Sequence, residues 1–288
     1  MKIFISILII VNIASSCNNP KQEHKETLFD NYEQTLSFIK QGNDEYMRGN
    51  YKKAVIFYEK SINEGNLNEL KSLALNNIAE SYELLENYDK AQEYFNKSLD
   101  IDSLNPLTYS NLAECQTLTN DFTNAMKNFD YAIELDSNIS IIYLNRGDLK
   151  ERMMNFNGAL KDINKAIEKD NNNKFAYSNR SEIYKIFSDY NSAKDDLDKS
   201  IEIDPTYVVA YINRGFIRKL LNDLDGAMQD YDTAIELEKD NAICYLDRGE
   251  LKMEIGDYKG ACKDINFART LGFDISNFQW VLDEYCEN

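Results

Sequence analysis

Asparagine recurs at Asn77, Asn111, Asn145, Asn179 and Asn213, each 34 residues after the last; Lys40 precedes the column and Asp247 continues it. Three residues further on stands a column that is mostly acidic: Glu80, Glu114, Asp148, Glu182 and Glu250, with Asn43 and Phe216 as exceptions. An amide side chain offers a carbonyl acceptor and two N–H donors, which match the main chain of an extended peptide and leave its side chains unread. Asparagine is a mediocre helix former, so five in register need a reason. Bonding to a neighbouring repeat's backbone is the other reading open at this point. Arginine follows the asparagine column at Arg146, Arg180, Arg214 and Arg248, and aspartate stands at Asp162, Asp196, Asp230 and Asp264. A lone buried guanidinium is costly, whereas a facing carboxylate answers it with a two-pronged hydrogen bond.

Other chemistry has little material. The single histidine, His24, excludes a His-based triad, shuttle or metal cluster. No nucleophile motif or glycine-rich phosphate loop appears, and the nearest calcium-loop imitation, from Asp170 with Asn172, fails at Lys174, Phe175 and Ser181. No catalytic residue, metal or cofactor is expected. With 32 basic against 49 acidic side chains the net charge is -17, which repels nucleic acid and anionic headgroups.

The elements that must carry these columns follow from a small-residue period. Ala54, Ala91, Ala125, Ala159, Ala193, Ala227 and Ala261 fall 37 and then 34 residues apart, each with large apolar residues before and after it and a small residue seven on, as in Leu224, Ala227, Tyr231, Ala234. Upstream of each is a second pattern, an aromatic or leucine four residues before a small residue, as in Tyr143 and Gly147. This resembles the tetratricopeptide repeat family, over residues 35–275. The resemblance implies an all-α, right-handed α-solenoid of seven helical hairpins, at about 35–71, 72–105, 106–139, 140–173, 174–207, 208–241 and 242–275. Small residues mark where two helices cross closely, and stacking of neighbours closes a core that one hairpin cannot close alone. Departures are Gln41 at a usual leucine, a closing proline only at Pro205, and three inserted residues near Gly65 to Asn68.

In that frame the first helix of each pair lines an inner groove. The asparagine column is similar to the ladder that holds substrate backbone in the tetratricopeptide superhelix of O-linked N-acetylglucosamine transferase. The family's carboxylate clamp for chaperone tails uses lysine, arginine and asparagine, and here the matching positions are mostly acidic, so a neutral or basic extended partner fits better. The arginine and aspartate columns change character together along the chain, Phe57 with Ile78 and Tyr94 with Leu112 giving way to Asn128 with Arg146. This predicts pairs across the seam between repeats: Asp162 with Arg180, Asp196 with Arg214, Asp230 with Arg248.

The ends differ in kind. Lys2, an apolar run from Ile3 to Ile13 too short to span a bilayer, and small residues before Cys17 read as an export signal over 1–16. It resembles a bacterial lipoprotein signal, with Ala14, Ser15 and Ser16 in the lipobox and Cys17 acylated; ordinary secretion is the alternative. Residues 17–34 read as a polar tether and 276–288 as a capping helix, with Trp280 as a plug over the last repeat. Cys115, Cys244, Cys262 and Cys286 have no metal spacing and leave disulfides open. The reading is a non-enzymatic scaffold or adaptor for protein or extended peptide, anchored in the cell envelope through lipid alone, at the outer membrane if the cell is Gram-negative. The resemblance also allows a component of outer-membrane protein assembly or a regulatory subunit of a cell-wall hydrolase.

Overall fold

The computed structural model describes residues 20–64 and 67–286, and these form helical hairpins with no strand among them. The signal segment and Cys17 lie outside the described residues. The hairpins are α1 (Pro20–Met47) with α2 (Tyr51–Glu64), α3 (Asn68–Leu84) with α4 (Tyr88–Ile101), α5 (Pro106–Leu118) with α6 (Phe122–Leu135), and α7 (Ser140–Arg152) with α8 (Phe156–Lys169). There follow α9 (Lys174–Ile186) with α10 (Tyr190–Ile203), α11 (Val208–Leu220) with α12 (Leu224–Leu237), and α13 (Ala242–Glu254) with α14 (Tyr258–Thr270). The architecture is an α-solenoid of helical hairpins, in two compact units, Met1–Ser103 and Leu104–Asn288.

Local chemistry sets the turns. The second helix of six hairpins starts on Asn87, Asp121, Asn155, Asp189, Asp223 or Asp257, whose side-chain oxygen accepts from a backbone N–H three residues on. That bond satisfies one of the helix's orphan donors. The residue before each cap turns left-handed: Glu86, Asn120, Met154, Ser188 and Asn222 do so at φ 57–62°, and Gly256 does so without a Cβ to resist it.

The alanine column sits where the two helices of a hairpin touch, and all seven alanines are fully buried. In the first unit the core is Ile39, Ala54, Val55, Tyr58, Ala74 and Ile78. In the second, each hairpin shares its core with the next; Ala159, Ile163 and Ala166 of α8 pack with Tyr143 of α7 and Ala176 and Ile183 of α9.

Three expectations change at the ends. From Pro20 onward the tether is the first part of α1, continuous with the helix of the first hairpin. Proline suits a helix's first position, and the Glu, Lys and Gln that follow are good helix formers. The C-terminal cap is not one helix: Ser276–Phe278 is a 3-10 turn, Gln279–Val281 one α turn and Leu282–Cys286 a π turn. That winding brings Val281 and Leu282 onto Leu246, Ile265, Ala268 and Ile275, and leaves Trp280 52% exposed. The plug is therefore Val281 and Leu282. A Cys262–Cys286 disulfide ties this segment to α14, while Cys115 and Cys244 are buried in the core.

Candidate functional site

The asparagine and acid columns meet on the first helices. Asn145 Nδ2 donates to Glu114 Oε2 at 2.9 Å and Asn179 Nδ2 to Asp148 Oδ1 at 2.8 Å, each reaching back to the preceding hairpin. In the first unit Asn77 Nδ2 reaches Asn43 Oδ1 at 3.3 Å in the same register. The ladder is thus partly satisfied internally, Asn77, Asn145 and Asn179 each bonding a side chain of the preceding hairpin. Asn145 and Asn179 are half-buried, and each retains a carbonyl oxygen and a second amide hydrogen with no partner among the described residues. Asn213 is also half-buried and makes no side-chain hydrogen bond among the described residues, whereas Asn77 and Asn111 are buried.

The acids beside them repel one another. Asp148 is pushed up to about 6, first by burial, then by Glu151 and Glu114, against the bond from Asn179. Glu151 is raised by burial and by Glu182. A pocket of about 420 Å³ lies here, lined by Asp148, Glu151, Arg152, Met154 and Phe156. Glu80 in the first unit, and Glu182 and Glu250 in the second, are half-buried on the same helix face; Glu182 is paired with Lys185 of its own helix.

The arginines behave otherwise. Arg146 Nε and Nη2 fork onto Asp162 at 2.8 and 2.7 Å, and Nη1 reaches Asp130 at 2.6 Å. Arg180 does the same with Asp196 and Asn164, Arg214 with Asp230 and Asp198, Arg248 with Asp264 and Asp232. The forks lie within a hairpin, so the predicted pairs Asp162 with Arg180, Asp196 with Arg214 and Asp230 with Arg248 are not formed. The seam is crossed instead by the third guanidinium nitrogen, to a residue two positions beyond the predicted one. Asn128, predicted to meet Arg146, accepts nothing from it and donates to Gln116 at 2.8 Å. Each guanidinium also lies 5.5–5.7 Å from the ring of the tyrosine three residues before it, Tyr143, Tyr177, Tyr211 or Tyr245. These tyrosines anchor the loop before their helix, as Tyr143 Oη donates to the Ser137 carbonyl.

Residues 33–104 match one tetratricopeptide repeat model, and residues 176–207 and 208–241 match a second. The hairpins over residues 33–104 and 176–241 are tetratricopeptide repeats. No curated protein sequence matches the chain. Among solved structures it is similar to a tetratricopeptide repeat protein from Parabacteroides merdae, at 17% identity and TM-score 0.62, over 87% of this chain and 98% of that one. It is similar to PilW, a type IV pilus biogenesis factor, at 18% identity and TM-score 0.66, over 73% and 98%. YrrB, described as having an unusual peptide-binding site, matches at 17% identity and TM-score 0.52, over 66% and 96%.

Two further features of the hairpins follow the same 34-residue period. Asp130, Asn164, Asp198 and Asp232 supply the seam partner, and Lys150, Arg218 and Lys252 give Asp162, Asp230 and Asp264 a second cation. The fifth repeat has Tyr184 there, and burial raises Asp196, against the pull of Arg180. Asp247, where the column breaks from asparagine, is pushed up to about 6 by burial and Glu250. An acid held above its ordinary value binds its proton more tightly folded than unfolded, so this group's penalty grows as pH rises from about 4 to 6 and is full above that. Asp247→Asn is expected to raise stability by about 1–2 kcal/mol at pH 7, because the partly exposed site softens the penalty of the charge. Urea unfolding of both proteins at pH 7.5 and 4 checks this, since the gain should vanish at the lower pH.

Proposed function

We propose that this chain is a non-enzymatic, lipid-anchored scaffold of the cell envelope that binds an extended neutral or basic segment along the groove lined by its first helices. The observation that carries it is the half-spent ladder: Asn145 and Asn179 use one amide hydrogen on an acid and keep the groups that pair with a peptide main chain. The carboxylates around them favour positive charge. YrrB's peptide-binding site is in keeping with such use of the fold. The Cys262–Cys286 disulfide fits an oxidising compartment. No helix among the described residues is long and apolar enough to cross a membrane.

The test pairs peptide display with fractionation. Selected peptides should be extended and neutral or basic, and their affinity should fall several-fold between 0.05 and 0.3 M salt as screening shortens below about 10 Å. Asn145→Ala with Asn179→Ala should weaken them about tenfold while the protein stays folded; undiminished binding sinks the ladder. Cys17→Ser should leave the membrane fraction, and unchanged retention with unchanged mature mass sinks the anchor.

A further inference from the structure

Two buried tyrosine hydroxyls occupy matching places and meet opposite fates. Four residues after the core alanine the hairpins carry phenylalanine or an aliphatic residue, except at Tyr58 and Tyr231. Both rings lie against a glycine of the first helix: a Cβ on Gly42 would come within 2.4 Å of Tyr58, and one on Gly215 within 2.8 Å of Tyr231. In the first hairpin the hydroxyl donates to Asn43 Oδ1 at 2.8 Å, and that oxygen also accepts from Asn77. In the sixth, Phe216 replaces the residue matching Asn43, and Asp247 replaces the one matching Asn77.

Phenylalanine cannot accept the bond. Tyr231 is 0% exposed and its Oη has no hydrogen-bond partner among the described residues. Natural proteins seldom leave such a group unmatched without a role for it. Its ring lies against Gly215 of α11, in the place from which Tyr58 reaches the first helix of its own hairpin, and the carboxylates of Asp247, Glu250 and Glu254 on α13 act on it along with Asp230. The side chains of Asp247 and Asn213 there make no hydrogen bond or ion pair among the described residues. Phe216 is 38% exposed, with Lys185 and Lys219 at 5.7 and 5.5 Å from its ring. Lys185 pairs with Glu182 and Lys219 with Glu250, so the carboxylates of Asp247 and Glu254 leave an excess of negative charge.

We propose that Tyr231, Asp247 and Phe216 form a subsite for the guanidinium of an arginine in the bound segment. A planar guanidinium can fork onto the Asp247 carboxylate, donate another N–H to Tyr231 Oη and lie on the Phe216 ring; a lysine ammonium lacks the flat face and the fork. The assignment rests on the groove reading above and adds a residue class and a register to it.

The experiment titrates the full chain in detergent with blocked Ala-Ala-Arg-Ala-Ala and with its lysine and norleucine counterparts, followed by calorimetry. The arginine peptide should bind at least tenfold more tightly than the norleucine peptide and more tightly than the lysine one. Tyr231→Phe and Asp247→Asn should each remove most of that preference. Tyr231→Phe should leave the folded-to-unfolded ratio unchanged or raised, because only an unmatched hydroxyl is lost, whereas Tyr58→Phe should lower it. Arginine preference that persists in both subsite variants, or equal binding of the three peptides, overturns the subsite and leaves the groove reading standing. Absence of binding by all three at millimolar concentration overturns both.

Discussion

Asp230→Ala lowers the unfolding free energy by about 3–5 kcal/mol, the usual result of removing one member of a buried ion pair and stranding the other. The Asp230 side chain is 3% exposed and holds two cations, with Arg214 Nη2 at 2.6 Å and Arg218 Nη1 at 2.9 Å. Both lose their main counter-charge in the variant. Double-mutant cycles to alanine locate the interaction. Arg214 with Asp230 should couple most strongly. Arg214 with Asp198 should couple less, because the Asp198 side chain is 40% exposed and water screens it. Arg214 with Asp196, the pair the columns suggested, should couple weakly. A ranking with Asp196 first would contradict the observed fork.

Cys262→Ser with Cys286→Ser costs about 3 kcal/mol in the stability of the last hairpin, the loop-closure value for a separation of 24 residues. Hydrogen exchange should quicken through residues 276–286 and α14 while α11 and α12 hold their protection, since stacked repeats communicate only with their neighbours. Dithiothreitol should reproduce the effect in the wild type and do nothing further to the variant. The remaining thiols do not confuse the readout. Burial pushes Cys244 up to about 12, keeping it protonated and unreactive, and Cys115 is likewise buried. Equal stability of the two proteins would mean that Val281 and Leu282 hold the cap by packing alone.

What the amino-acid sequence determined by itself is the set of features tied to one helix and one period. A close helix crossing admits only a small residue, so the alanines from Ala54 to Ala261 had to recur in register, and they occupy those crossings. The same holds for the caps Asn87 to Asp257, whose chemistry reaches no further than the next turn. Partner choice between helices was not determined that way. Asp130 and Asp162 stand 16 residues on either side of Arg146, and Arg146 takes both. The predicted partner lay two residues from the true seam residue. At about 100° per residue that is more than half a turn, enough to face the other way, and only the rotation of each packed helix decides it. The asparagine ladder and Tyr231 follow the same logic. A donor column reads clearly along the chain, but whether each group finds Glu114, Asp148 or nothing depends on which side chain the neighbouring helix presents a few ångströms away.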